Sequence, residues 1–178
     1  YHQYIDVDKD ENGTPTAIRF HDVEHFNFGF DVVDAIAARE PDRLAMLHLD
    51  REKRERRFSF ADMRDLSNRC ANYFRALGVR RGDRVMLVLK RHWQFWPSIL
   101  GLHKLGAIAI PATCQLQEHD FEYRYNAAGV KAILCTADGD TAHQAEMAAQ
   151  NAPTLETRIL VGGSREARLR RGAERLFR

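Results

Sequence analysis

The chain has 178 residues, 44% of them hydrophobic and 29% charged, a balance that suits one globular domain with a core and argues against wholesale disorder. The net charge of +2 argues against a dedicated nucleic-acid binder. The charge is uneven, because residues 164–178 hold six arginines against two glutamates, a net +4 that leaves −2 on the rest. Cys70, Cys114 and Cys135 are odd in number and lack C-x-x-C spacing. Neither a disulfide scaffold nor a zinc knuckle is supported, and a reducing, cytoplasmic setting is expected. No apolar run approaches the roughly 18 residues of a membrane helix. The opening Tyr1-His2-Gln3-Tyr4 does not read as a signal peptide and has no initiator Met, so the sequence is expected to start inside a longer chain.

Residues 4–20 alternate weakly on both sides of Asp10-Glu11-Asn12-Gly13, which predicts a β-hairpin or loop with Asn12-Gly13 at its turn. After Phe26, Phe28 and Phe30, a short helix fits 32–39, stopped by Glu40-Pro41. Residues 44–49 have strand length, and 57–60 can pair beside them. The clearest helix follows Ser59, a candidate N-cap with Asp62 three residues on. Met63, Leu66, Cys70, Tyr73, Phe74 and Leu77 form its apolar stripe, and Gly78 with Val79 stands where a left-handed cap belongs. Residues 85–89 are apolar at every position, the mark of a strand buried on both faces of a parallel sheet. A helix then fits 93–105 with Pro97 near its start, and a buried strand fits 107–110. Beyond these come a helix over 117–128, a strand over 130–135, a helix capped by Asp138 or Asp140, and a strand over 158–161. This alternation predicts an α/β fold of βαβ units around a mainly parallel sheet.

Motifs that carry chemistry are few. Asp8-x-Asp10-x-Asn12-Gly13 copies the start of a calcium loop, but the position that must supply a bidentate carboxylate is Arg19, so a hairpin turn is expected. His21-x-x-x-His25 has metal spacing only if helical, and its surroundings read as loop. His48, His92, His103, His119 and His143 are scattered singly and read as surface or interface residues. Cys70 and Cys135 read as core, and Cys114, after Pro111-Ala112-Thr113, as the accessible thiol. Arg80-Arg81-Gly82 reads as a solvated turn, and Gly162-Gly163-Ser164 as a glycine loop lacking any phosphate-binding pattern. No catalytic residue and no metal ligand is assigned. The segment 164–178, built from Arg, Ala, Gly, Glu, Leu, Ser and Phe, is compatible both with a basic amphipathic helix and with GC-rich codons read out of frame.

The ordered series Phe58-Ser59-Phe60, Asn68-Arg69-Cys70-Ala71-Asn72-Tyr73-Phe74-Arg75-Ala76-Leu77-Gly78-Val79 and Gly82-Asp83-Arg84-Val85 resembles the early part of the adenylate-forming (AMP-binding) enzymes. Leu100-Gly101-Leu102-His103-Lys104-Leu105-Gly106-Ala107, Ile110-Pro111 and Val130-Lys131-Ala132-Ile133-Leu134 continue it. Phe26-Asn27-Phe28-Gly29 and the stretch 93–96 are similar to the acyl-CoA synthetase branch, its medium-chain-like members above all. The resemblance covers about residues 24–163.

The resemblance implies an ATP-dependent acid–CoA ligase, which joins a carboxylate to AMP with ATP and Mg2+ and then transfers the acyl group to coenzyme A. It implies a fatty or aromatic acid as substrate and no nucleic-acid partner. It divides the chain into a partial N-terminal domain, 1–163, with a hairpin lead-in over 1–25, and an Arg-rich tail over 164–178. In the family the Ser/Thr/Gly-rich phosphate loop, the ribose carboxylate and the catalytic Lys come later, so this stretch is expected to be inactive alone and to self-associate through apolar strand edges. By the same resemblance, Gln115 of Pro111-Ala112-Thr113-Cys114-Gln115 is a contact near the coenzyme A channel. The competing readings are a non-catalytic interaction module and an adenylation domain of the luciferase-like or peptide-synthetase type.

Overall fold

The computed structural model describes residues 4–162. Strands β1 (Ile5–Lys9) and β2 (Pro15–Phe20) form the expected antiparallel hairpin. The Asp10 carboxylate closes its turn by accepting the backbone N–H groups of Asn12 and Thr14, each at 2.9 Å. Helix α1 (Ala35–Arg39) is preceded by a wide π-type turn over Phe28–Asp34, so coiling begins before residue 32. The cause is Asn27, whose side-chain oxygen accepts the N–H of Gly29 at 3.0 Å while its own N–H donates to the Asp31 carboxylate at 2.6 Å.

A second hairpin pairs β3 (Leu44–Leu49) with β4 (Glu55–Ser59). The strand starts at Glu55 and Phe60 already opens α2 (Phe60–Ala76). Ser59 and Asp62 make a complete capping box: the Ser59 hydroxyl accepts the Asp62 N–H at 3.1 Å, and the Asp62 carboxylate accepts the Ser59 N–H at 2.9 Å. Met63, Leu66, Cys70 and Phe74 of the predicted stripe are buried. Gly78 takes φ +88°, a conformation that costs any side chain, and lets the Val79 N–H return to the Phe74 carbonyl at 3.0 Å.

The main sheet holds β5 (Arg84–Val88), β6 (Ile108–Pro111), β7 (Ala132–Thr136) and β8 (Thr157–Val161), all parallel in the order β6-β5-β7-β8. Helices α3 (Phe95–Leu105), α4 (Glu118–Ala128) and α5 (Thr141–Ala148) make the connections. Side-chain alternation gives each strand two cores. Val85, Leu87, Ala132 and Leu134 pack with Cys70, Phe74 and Leu102 on one face. Met86, Val88, Ile133 and Cys135 pack with Phe121, Tyr125 and Ala145 on the other.

Two expectations are corrected. The strand predicted over 107–110 is not buried: β6 pairs only with β5, lies at the sheet edge and leaves Ile108 51% exposed. Its Pro111 fits an edge, where no ladder donor is required on the open side. Helix α5 begins after Asp140, yet that carboxylate makes no capping bond to the backbone and accepts the Gln144 side chain at 2.6 Å instead. The proposed tail helix over 164–178 lies outside the described residues. No described helix is long and apolar enough to cross a membrane.

The N-terminal layer is fastened to α3 by a buried ammonium. The Lys104 side chain, 2% exposed, places Nζ 2.7 Å from both Asp34 Oδ1 and Asn68 Oδ1. The Asn27 side chain adds a 2.7 Å bond to the His103 carbonyl. Charge buried in this way is tolerated only while paired.

Two stability outcomes follow. Ser59→Ala removes one cap acceptor and is expected to cost about 1 kcal/mol in urea unfolding. Asp34→Ala strands the Lys104 ammonium and is expected to cost about 3–5 kcal/mol. Adding Lys104→Met to it should restore part of that loss, and an additive double variant would contradict the coupling.

Candidate functional site

In the order β6-β5-β7-β8, the connection after β5 leads to one side and the connection after β6 leads back to the other. Open parallel sheets take ligands beyond the carboxyl ends of the strands at such a divide, here between β5 and β7. A crevice lies there. One lobe, of about 520 Å3, is walled by Leu47, Leu49, Leu89, Phe95 and Trp96, with Ala112 to Cys114 at its side. A second, of about 490 Å3, runs past Arg51, Arg54, Lys90, Arg91 and Asp138. His48, Leu49, Lys90, Arg91, His92 and Trp93 line both.

His92 ties the two strand ends together. Its Nε2 lies 2.8 Å from the Thr136 hydroxyl at the end of β7 and 3.4 Å from Asp138 Oδ2 in the following loop. Thr136 Oγ1 also accepts the Asp138 N–H at 3.0 Å, so this small network closes on itself. Gly162, at φ +83°, passes so near that an added Cβ would stand 3.2 Å from His92 Cε1. His48 Nε2 donates to the Arg91 carbonyl at 2.9 Å and so holds β3 to the loop after β5. Trp93 is fixed between Phe58, with ring centroids 5.0 Å apart, and the Arg56 guanidinium at 5.0 Å.

This cluster was not legible in the sequence, where His48 and His92 read as scattered surface residues. The available signal was positional: His92 follows β5 and Thr136 ends β7, and neighbouring parallel strands bring such positions together. Arg19 ion-pairs with Asp8 across the hairpin at 2.5 Å, so the residue that spoils the calcium pattern serves the turn. His21 meets Asp6 at 2.8 Å and His25 meets Asp22 at 2.6 Å, on separate partners. No group of three or more His, Cys, Asp or Glu among the described residues is placed to hold a metal ion. Cys70 and Cys135 are buried, and burial pushes the Cys70 thiol up to about 12. Cys114 is partly exposed on the crevice wall. Gln115 is exposed and stands just past that wall. Gly163 and Ser164 lie outside the described residues.

Burial lowers the pKa of His92, and the nearby Asp138 carboxylate only partly opposes it. The folded chain therefore binds fewer protons here than the unfolded chain. The stabilisation is present above the ordinary histidine value of about 6.5 and is lost as pH falls below it. His92→Gln is expected to flatten the fall in urea midpoint between about pH 7 and pH 5.5. An unchanged slope would place the acid sensitivity elsewhere.

Comparison with known proteins supplies the family. The family model described as AMP-binding enzyme matches residues 33–175. The rat mitochondrial acyl-coenzyme A synthetase ACSM5 is 34% identical over 144 residues, which cover 78% of this chain and 25% of the relative. The human mitochondrial acyl-coenzyme A synthetase ACSM1 is 33% identical over 157 residues, covering 85% of this chain and 27% of the relative. Among solved structures, the N-terminal domain of FACL13 from Mycobacterium tuberculosis superposes with a TM-score of 0.69 at 26% identity, over 76% of this chain and 34% of that one. The chain thus spans about a quarter of the length of the curated relatives it matches. With its parallel sheet matched and the family model covering residues 33–175, the chain belongs to the AMP-binding enzyme family.

Proposed function

We propose that this chain is the N-terminal scaffold of an ATP-dependent acid–CoA ligase. The observation that carries the reading is the family match over residues 33–175 on a parallel sheet of matching fold. In such a reaction the carboxylate oxygen attacks the α-phosphorus of ATP, pyrophosphate leaves, and the acyl-adenylate then passes its acyl group to the thiol of coenzyme A. AMP makes the carboxylate carbon electrophilic by serving as its leaving group. Fatty or aromatic acids are the proposed substrates, and ATP, Mg2+ and coenzyme A the proposed cofactors. Residues 1–163 form the partial domain and 164–178 a separate tail. No disulfide joins Cys70, Cys114 or Cys135, which fits a reducing compartment, for which the cytoplasm is proposed, although these curated relatives are named mitochondrial.

The described residues offer no ligand cluster for Mg2+, so no step is assigned to one here. What the chain supplies is position. The wall Ala112 to Cys114 leads to Gln115, whose exposed amide is proposed to meet coenzyme A as it enters. The 178 residues contain no Ser/Thr/Gly-rich segment with a lysine to hold the phosphates, so this stretch is proposed to be inactive alone. Isolated, it is also proposed to self-associate through the exposed edge at β6.

The test is ATP–pyrophosphate exchange by the 178-residue chain with a panel of fatty and aromatic acids. Exchange at the blank rate is expected. Acid-dependent exchange above it would overturn the inactivity of this stretch while supporting the ligase chemistry.

A further inference from the structure

The hairpin of β1 and β2 has two unlike faces. Its register sets Ile5 opposite Phe20 and Val7 opposite Ile18, so these four side chains share one face, while Asp6, Asp8 and Arg19 share the other. A two-stranded sheet is at best marginally stable in water unless its apolar face is packed. Here every residue of β2 is exposed, Ile18 at 55% and Phe20 at 68%. Tyr4 ties the hairpin to the body: its ring meets Phe26 with centroids 4.8 Å apart, and its hydroxyl donates to the Asp31 carbonyl at 3.0 Å.

Beside the apolar face lies a groove of about 550 Å3, lined by Ile5 and Phe20 from the hairpin and by Phe28, Val32 and Ile36 from the coil that leads into α1. Val23, Phe26 and Phe28 around it are 65%, 39% and 47% exposed. At about 200 Å2 for a whole aromatic side chain, these three with Ile18 and Phe20 leave roughly 500 Å2 of apolar surface open. That approaches the upper end for the largest patch on a monomer, about 300–600 Å2. Two copies joined over it bury about 1,000 Å2, the least that a specific interface needs.

The charges around the groove favour a second copy of the chain as the occupant. Among its lining residues Asp31 and Arg39 carry opposite signs, and His21 is held by Asp6 at 2.8 Å. A two-fold axis turns Asp31 of one copy toward Arg39 of the other and the exposed Ile18 and Phe20 of each toward the other's groove. An anionic lipid surface would require a cluster of cations that this lining lacks. A small polar ligand meets groups already engaged: the Tyr4 hydroxyl, the His21 ring, and the Asp31 carboxylate, which accepts the Asn27 N–H at 2.6 Å.

We infer that the chain forms a two-fold dimer in which the apolar face of each β1–β2 hairpin covers the groove of the other copy. This surface is separate from the β6 edge. The inference goes beyond the ligase reading and does not rest on it, because association is read without turnover.

The measurement is made on Ile108→Lys, which puts a charge on the exposed β6 edge and blocks strand pairing there, so that the hairpin contact is read alone. Sedimentation velocity is expected to show a monomer–dimer equilibrium with Kd on the order of 10 μM. Adding Ile18→Thr and Phe20→Thr keeps β-branched residues on the strand and should weaken the dimer at least about tenfold, with circular dichroism confirming the fold. Hydrogen exchange, compared between dilute and concentrated Ile108→Lys, should slow within residues 15–36, a reading that needs no hairpin variant. The inference is overturned if Ile108→Lys stays monomeric at about tenfold above that Kd, if it grows into larger assemblies, if the folded hairpin variant dimerises as before, or if the slowed exchange falls outside residues 15–36.

Discussion

The structure depends on β5 being buried on both faces. Val85, Met86, Leu87 and Val88 are each 0% exposed, and each turns alternately to one of two cores. Such a strand is stable only with helices on both sides and a strand on each edge, because its backbone groups have no water to satisfy them. It is flanked by β6 and β7, with α2 and α3 over one face and α4 and α5 over the other. The close crossing of α2 and α3 follows from the same demand. Gly101 lies against Cys70 so tightly that an added Cβ would stand 2.7 Å from the Cys70 Cβ.

The position of the crevice is a consequence of that central strand. With β6 on one side of β5 and β7 on the other, the loops leaving β5 and β7 part, and the gap between them stays open. His92 spans the gap to Thr136, and His48 ties the β3 hairpin to its far wall. The scaffold thus sets charged and aromatic side chains around a space rather than into the core. The N-terminal layer is attached differently, through one buried ion pair at Lys104 and an Asn27 bond to α3, with few buried side chains of its own.

The family assignment and the crevice draw on different features of the chain. The family assignment rests on a long match, and the curated relatives are roughly three times this length. The crevice is lined by cations, carboxylates and exposed apolar side chains within the described residues.

Local chemistry made much of the fold legible in the sequence. The Ser59–Asp62 box, the stripe from Met63 to Phe74, Gly78 and the unbroken apolar run of β5 each report on near neighbours in the chain, and propensity and periodicity suffice for those. The resemblance added the family. Strand order was beyond reach, because residues 107–110 read as apolar whether a strand is central or at an edge, and only the pairing in space made β6 an edge. The His92–Thr136–Asp138 network was hidden for the same reason. His92 and Thr136 are separated by 44 positions, and no local pattern links them until two parallel strands lie side by side. By itself the sequence determined the elements, the buried central strand and the family. The tertiary structure alone decided which loop ends meet, because pairing between distant strands is fixed by packing of the whole sheet and not by any window of the chain.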